Sequence, residues 1–181
     1  LRAATGLGLG YGAVNPYCFA PPIAPHLAAA EAGVRIDPAA VVAALDDLDK
    51  AGDFVVAEGA GGWRVPLAPG LDVQALVSML GLPVVLVVGL RLGCLNHALL
   101  TEQAIRASGV PLLGWIGTQV DPAMQRMREN LQTLQALLHG PCLGVLTHPG
   151  ATAVADCARP LVVDALLRPG RPDVYNIPIE S

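Results

Sequence analysis

Phe54-Val55-Val56-Ala57-Glu58-Gly59-Ala60-Gly61-Gly62-Trp63-Arg64-Val65-Pro66-Leu67 is the stretch that decides the fold class of this chain. Its opening apolar run predicts a strand buried on both faces, as in a parallel sheet, and the run ends in one carboxylate followed by four residues with almost no side chain. In open parallel sheets the ligand crevice lies outside the carboxyl ends of the strands, so Glu58 and Gly59, Ala60, Gly61 and Gly62 are expected where chemistry occurs. A carboxylate there must be paired, hydrated or metal-bound. Residues without bulk beside it let a phosphate or an acid substrate reach backbone N–H groups. Two expectations stand side by side: a site holding Mg2+ and an anionic group, or a tight turn with a capping glutamate.

On the amino-terminal side, Asp37-Pro38 reads as an N-cap followed by proline at the first helical position. Val41, Ala44, Leu45 and Leu48 then share one helical face, Asp46, Asp47 and Asp49 the other, and Gly52 ends the helix. The acidic run is expected to be a solvated face. Leu1 to Pro25 has no sustained period and reads as a shaped loop region, and its Gly8 to Ala13 match to G-x-G-x-x-A lacks a preceding strand.

On the carboxyl side the spacing predicts a helix over Val73 to Leu80 and a central strand, buried on both faces, over Val84 to Val88. A helix follows from Cys94 to Ser108, then a strand from Leu112 to Ile116. Asp121-Pro122 repeats the cap-plus-proline signal and is expected to start a long helix through Met124, Met127, Leu131, Leu134 and Leu138. Cys142 to Leu146 makes a further strand, Val154 to Leu167 a weaker helix, and the tail from Arg168 a loose end. Strands and helices that alternate in this way build βαβ units, so a doubly wound, mostly parallel α/β sheet is expected in a single domain over 181 residues, weakly defined from about residue 150.

Composition narrows the chemistry. Hydrophobic residues make up 53% of the chain but aromatic ones only 4%, so the core is built from Ala, Val and Leu. Net charge is -4 and the arginines are scattered, which argues against nucleic acid as a partner. No apolar run approaches the roughly 18 residues of a membrane helix, and no basic region with an apolar signal opens the chain, so a soluble cytoplasmic protein without membrane partners is expected. Cys18, Cys94, Cys142 and Cys157 show no C-x-x-C spacing and are expected to be free, buried thiols. Ser78, Ser108 and Ser181 lie outside any G-x-S-x-G, and the four histidines lack zinc-binding spacing. Lys50, the single lysine, is not part of a G-x-x-x-x-G-K-[ST] phosphate loop. A second site is legible at Gly93-Cys94-Leu95-Asn96-His97, where a helix start with unsatisfied N–H groups suits a carboxylate; ordinary capping is the alternative.

Four blocks resemble the dethiobiotin synthetases of biotin biosynthesis: YGAVNPYCFAPPIAPH (Tyr11 to His26), VAEGAGGWRVPL (Val56 to Leu67), PVVLVVGLRLGCLNHALLT (Pro83 to Thr101) and Gly114-Trp115-Ile116. The resemblance covers the chain from near its start to Leu146. It implies a sheet of the P-loop NTPase type and an ATP- and Mg2+-dependent cyclo-ligase that closes a ureido ring on 7,8-diaminononanoate with CO2. It further implies that Glu58 is a catalytic group and Mg2+ ligand, and that Gly59, Ala60, Gly61 and Gly62 admit carbamate and phosphate. Val65 and Pro66 would line the substrate pocket, and Gly93, Cys94, Leu95 and Asn96 would bind the substrate's tail carboxylate across a homodimer interface. Thr118 stands where the family has an adenine-reading asparagine. The family's P-loop strand and helix would precede Leu1, so the chain is expected to be an amino-terminally incomplete member that does not turn over ATP alone. The alternatives are a regulatory P-loop NTPase relative and a cobyrinate-type amidotransferase ATP domain.

Overall fold

Proline at the first turn of a helix costs no hydrogen bond, and three segments of this chain begin with that economy or with a capping aspartate. The computed structural model describes Gly6, residues 8–148 and Leu161, and divides between Leu82 and Pro83 into two compact units. In the first unit a one-turn helix α1 (Tyr11–Val14) is followed by α2 (Pro25–Glu31) and α3 (Pro38–Ala51). Pro25 and Pro38 open the latter two, and Asp37 Oδ1 accepts the Ala39 N–H at 2.9 Å. Val41, Ala44, Leu45 and Leu48 are half-buried and Asp46, Asp47 and Asp49 exposed, as the spacing predicts. Two short antiparallel strands, β1 (Pro66–Ala68) and β2 (Leu71–Asp72), turn through Pro69-Gly70 and lead into α4 (Val73–Leu80), which Gly81 ends in the left-handed conformation. Ala29, Ile36, Leu67, Leu71 and Val73 form the core of this unit, with Tyr17 and Phe19 packed against it.

The run Phe54 to Ala57 corrects the expectation of a buried strand. It joins no ladder, and Phe54 and Val56 are 56% and 75% exposed. A parallel strand is held by a neighbour that accepts its hydrogen bonds, and among the described residues no strand runs beside this one. The hairpin β1–β2 and helix α2 were not anticipated from the sequence, because three-residue strands and a helix in a Pro-rich opening leave little periodicity.

The second unit is the α/β sheet. β3 (Val84–Leu90), α5 (Cys94–Ala107), β4 (Leu112–Gln119), α6 (Met127–Leu137) and β5 (Cys142–Leu146) follow in order, and the strands pair in parallel as β3-β4-β5. Both crossovers step in the same direction, so right-handed connections carry α5 and α6 onto one face. There Val88, Leu90, Cys94, Ala98, Trp115, Leu131, Leu134 and Cys142 make the core. β4, not β3, is therefore central among the described strands, and Val87 of β3 is 60% exposed. Asp121 caps a turn through the Ala123 N–H at 2.9 Å instead of starting the helix; Arg126, left-handed at φ 55°, interrupts the chain and α6 begins only at Met127. The expected elements beyond Pro149, and Cys157, lie outside the described residues.

Two close approaches lock the unit. Glu102 of α5, 3% exposed, accepts the backbone N–H groups of His139 at 2.9 Å and Gly140 at 3.0 Å and lies 3.1 Å from His139 Nδ1, tying the end of α6 to the start of β5. Beside it, a Cβ on Gly114 would lie 2.5 Å from the Pro141 carbonyl oxygen, and one on Gly140 would lie 3.2 Å from Leu112 Cδ2 and 3.3 Å from Gly114 Cα. Removing the buried acceptor strands two backbone donors, so Glu102→Ala is expected to lower stability by about 2–4 kcal/mol, with Glu102→Gln costing less. Urea unfolding of the variants measures this, and a loss under about 0.5 kcal/mol would show that the clasp is not holding the turn.

Candidate functional site

In the first unit, residues 58–62 form an exposed loop, and Glu58 has no hydrogen-bond or ion-pair partner among the described residues. The conformation explains the glycines. Gly61 and Gly62 take φ +82° and +132°, where a side chain is strained, and a Cβ on Gly61 would come within 3.0 Å of Val65 Cγ2. Gly59 lies where a Cβ would just touch Val73 Cγ1, at 3.4 Å.

The loop is fixed at its exit. The Val65 N–H donates to the Gly62 carbonyl at 3.3 Å, and Trp63 turns inward to become 9% exposed. The carbonyls of Trp63 and Val65 accept the N–H groups of Gln74 and Val73, both at 3.0 Å. These donors are the first two of α4, and Asp72 Oδ1 accepts the third, from Ala75, at 2.8 Å. The orphan donors of Val73, Gln74 and Ala75 in that first turn thus each have an acceptor within the chain. Val65 is half-buried and Pro66 exposed, so both expected pocket residues adjoin the loop.

In the second unit the helix start behaves differently. Gly93 at φ +94° is the N-cap of α5, no side chain caps it, and no acidic residue lies in its first turn. Cys94 N–H donates back to the Arg91 carbonyl at 3.0 Å, while the N–H groups of Leu95 and Asn96 have no side-chain acceptor, which with the helix dipole suits an anion. Cys94 is buried in the core, Leu95 half-buried, and Asn96 and His97 exposed. Thr118, near the end of β4, pairs in register with Gly89 of β3 and Leu146 of β5. It and Gly93 to Asn96 therefore share the carboxyl edge of the sheet, where the strand order predicts a site. Here His148 N–H also donates to Gln119 Oε1 at 3.1 Å.

Among the described residues no three His, Cys, Asp or Glu side chains gather to cage a metal. A single exposed carboxylate such as Glu58 does suit Mg2+, which keeps its waters and is held by one or two carboxylates plus substrate phosphates. Two titrations are perturbed away from these loops. Burial pushes the Cys142 thiol up, and the carboxyl of Glu129 is held below its usual range by its own backbone N–H and then by Arg126. Cys18 is exposed, which corrects the expectation that the thiols are buried, whereas Cys94 and Cys142 are indeed buried and free. Sequence reading missed Arg64, Asp72 and Gln74. Asp72 before an apolar helical run was the available signal.

A family model described as an AAA domain matches residues 2–151. Relatives called ATP-dependent dethiobiotin synthetase are similar over most of the chain. The one from Aromatoleum aromaticum is 50% identical over 161 residues, covering 89% of this chain and 72% of its own length. That from Pseudomonas aeruginosa LESB58 is 50% identical over 161 residues (86% and 71%), and that from Chromohalobacter salexigens 46% identical over 169 residues (88% and 71%). The chain belongs to the dethiobiotin synthetase family and carries its AAA domain.

Gly61→Ala is expected to lower the stability of the first unit by about 1–3 kcal/mol, more than Gly62→Ala, whose Cβ would meet nothing within 4 Å. Equal losses in thermal melts would remove the packing part of this account. In alkylation followed by peptide mapping, exposed Cys18 is expected to react before Cys142, which is buried and whose pKa burial pushes up.

Proposed function

We propose that this chain works as an ATP-dependent dethiobiotin synthase-type ligase of biotin biosynthesis, which closes the ureido ring of dethiobiotin on 7,8-diaminononanoate with CO2 and ATP. The observation that supports it most is the 50% identity over 161 residues, a span long enough to contain both glycine-turned loops. One substrate amine adds to CO2 with loss of a proton, giving a carbamate. A carbamate oxygen then attacks the γ-phosphorus and displaces ADP. The second amine attacks the carbonyl carbon, and phosphate leaves as the ring closes. Such chemistry is accelerated by positioning and by neutralising charge, not by a strong base.

The roles follow from what each loop offers. Glu58, exposed and unpartnered among the described residues, is the group suited to holding Mg2+. Bound there, the ion supplies neutralisation of charge on the phosphates. Gly59, Ala60, Gly61 and Gly62 leave backbone open to the carbamate and the transferred phosphate, and Val65 and Pro66 border the diamine. In the helix start Gly93 to Asn96, the uncapped N–H groups of Leu95 and Asn96 receive the tail carboxylate, contributed across a homodimer, and Thr118 lies toward the nucleotide base. The enzyme works in the cytoplasm; no described helix is long and apolar enough to cross a membrane.

The sequence contains no G-x-x-x-x-G-K-[ST], so substrate binding is a more direct test than turnover. Titration calorimetry of the 181-residue chain is expected to detect 7,8-diaminononanoate and to find 7,8-diaminononane, which lacks the carboxylate, bound about tenfold more weakly. Equal affinities for the two would remove the helix-start site, and no binding of either would overturn the assignment.

A further inference from the structure

We infer that Arg64 and Asp72 are a positioning pair that sets the shape of the glycine loop. Arg64 lies between the two residues, Trp63 and Val65, whose carbonyls dock on the first N–H groups of α4. Its Nε lies 3.0 Å from Asp72 Oδ2, and its Nη1 donates to Gln74 Oε1 at 3.2 Å. One carboxylate therefore does two things: Oδ1 caps the helix and Oδ2 holds the arginine that follows the glycines.

The pair is too exposed to carry the fold. The Arg64 side chain is 68% exposed and that of Asp72 22%, and exposed ion pairs contribute little to stability. Geometry is where it counts. Gly61 and Gly62 have the widest conformational freedom in the loop, and the one described backbone bond within it is that from Val65 N–H to the Gly62 carbonyl. A fork with two separate acceptors on the helix start restricts residue 64, and through it the turn at 62–65. The effect on ligand affinity rests on the function proposed above; the effect on the loop does not.

Arg64→Gln and Asp72→Asn separate the two, because Asn keeps an oxygen for the helix cap while losing the charge that holds the arginine. Amide hydrogen exchange is expected to be about threefold faster at Val65 in both variants, with thermal midpoints within about 2 °C of the parent and Arg64→Lys in between. Affinity for 7,8-diaminononanoate is expected to fall about three- to tenfold in step with the exchange. Unchanged exchange at Val65, or a thermal midpoint falling in proportion to the exchange rate, overturns the positioning role. If exchange changes as expected and the parent chain binds no diaminononanoate, the pair stands and the proposed function falls.

Discussion

A helix begins with N–H groups that have nothing behind them to bond to, and in this protein the way that need is met shapes both loops of interest. At α4 the first three donors are taken by the carbonyls of Val65 and Trp63 and by Asp72, so the loop rising from Glu58 is pinned to a fixed platform. At α5 the N-cap is a glycine, no side chain supplies an acceptor, and Leu95 and Asn96 keep donors for something else. The two helix starts divide the work: one holds backbone still, the other leaves it free to bind.

Glycine serves each for its own reason. At residues 61, 62 and 93 the backbone takes positive φ, so the turns exist only because no Cβ opposes them. A glycine-rich loop is also the segment most easily lost to conformational entropy, which is why its exit is bonded at several points within a few residues. Charge is placed sparingly: one carboxylate in the loop, one arginine after it and one aspartate beneath, and among the described residues no cluster of His, Cys, Asp or Glu gathers to cage a metal.

Much of this was legible in the chain. The helix starting at Pro38 announced itself through Asp37, the strand at Val84 through a run apolar on both alternations, and the helices at Val73 to Leu80 and from Cys94 and the strands at Leu112 and Cys142 were also expected. What misled was composition without partners. Phe54 to Ala57 has the residues of a buried strand, but a strand is a relation between two segments, and none of the described segments completes it. Asp121-Pro122 has the letters of a helix start, yet Arg126 takes a left-handed turn and delays α6 to Met127. The candidate residues at 58–62 stood out because a lone carboxylate is followed there by four residues with almost no side chain. The Arg64 clasp was not, since its partners are 8 and 10 residues away and meet only through the hairpin.

The contact between Gly140, Gly114 and Leu112 ties three positions into one history. Each present side chain leaves the others only the room they occupy, for a single added carbon at 140 would crowd Leu112 and the Gly114 backbone together. Substitution at any of them is therefore open only along paths that make space first, and relatives with a larger residue at 140 are expected to carry a smaller one at 112.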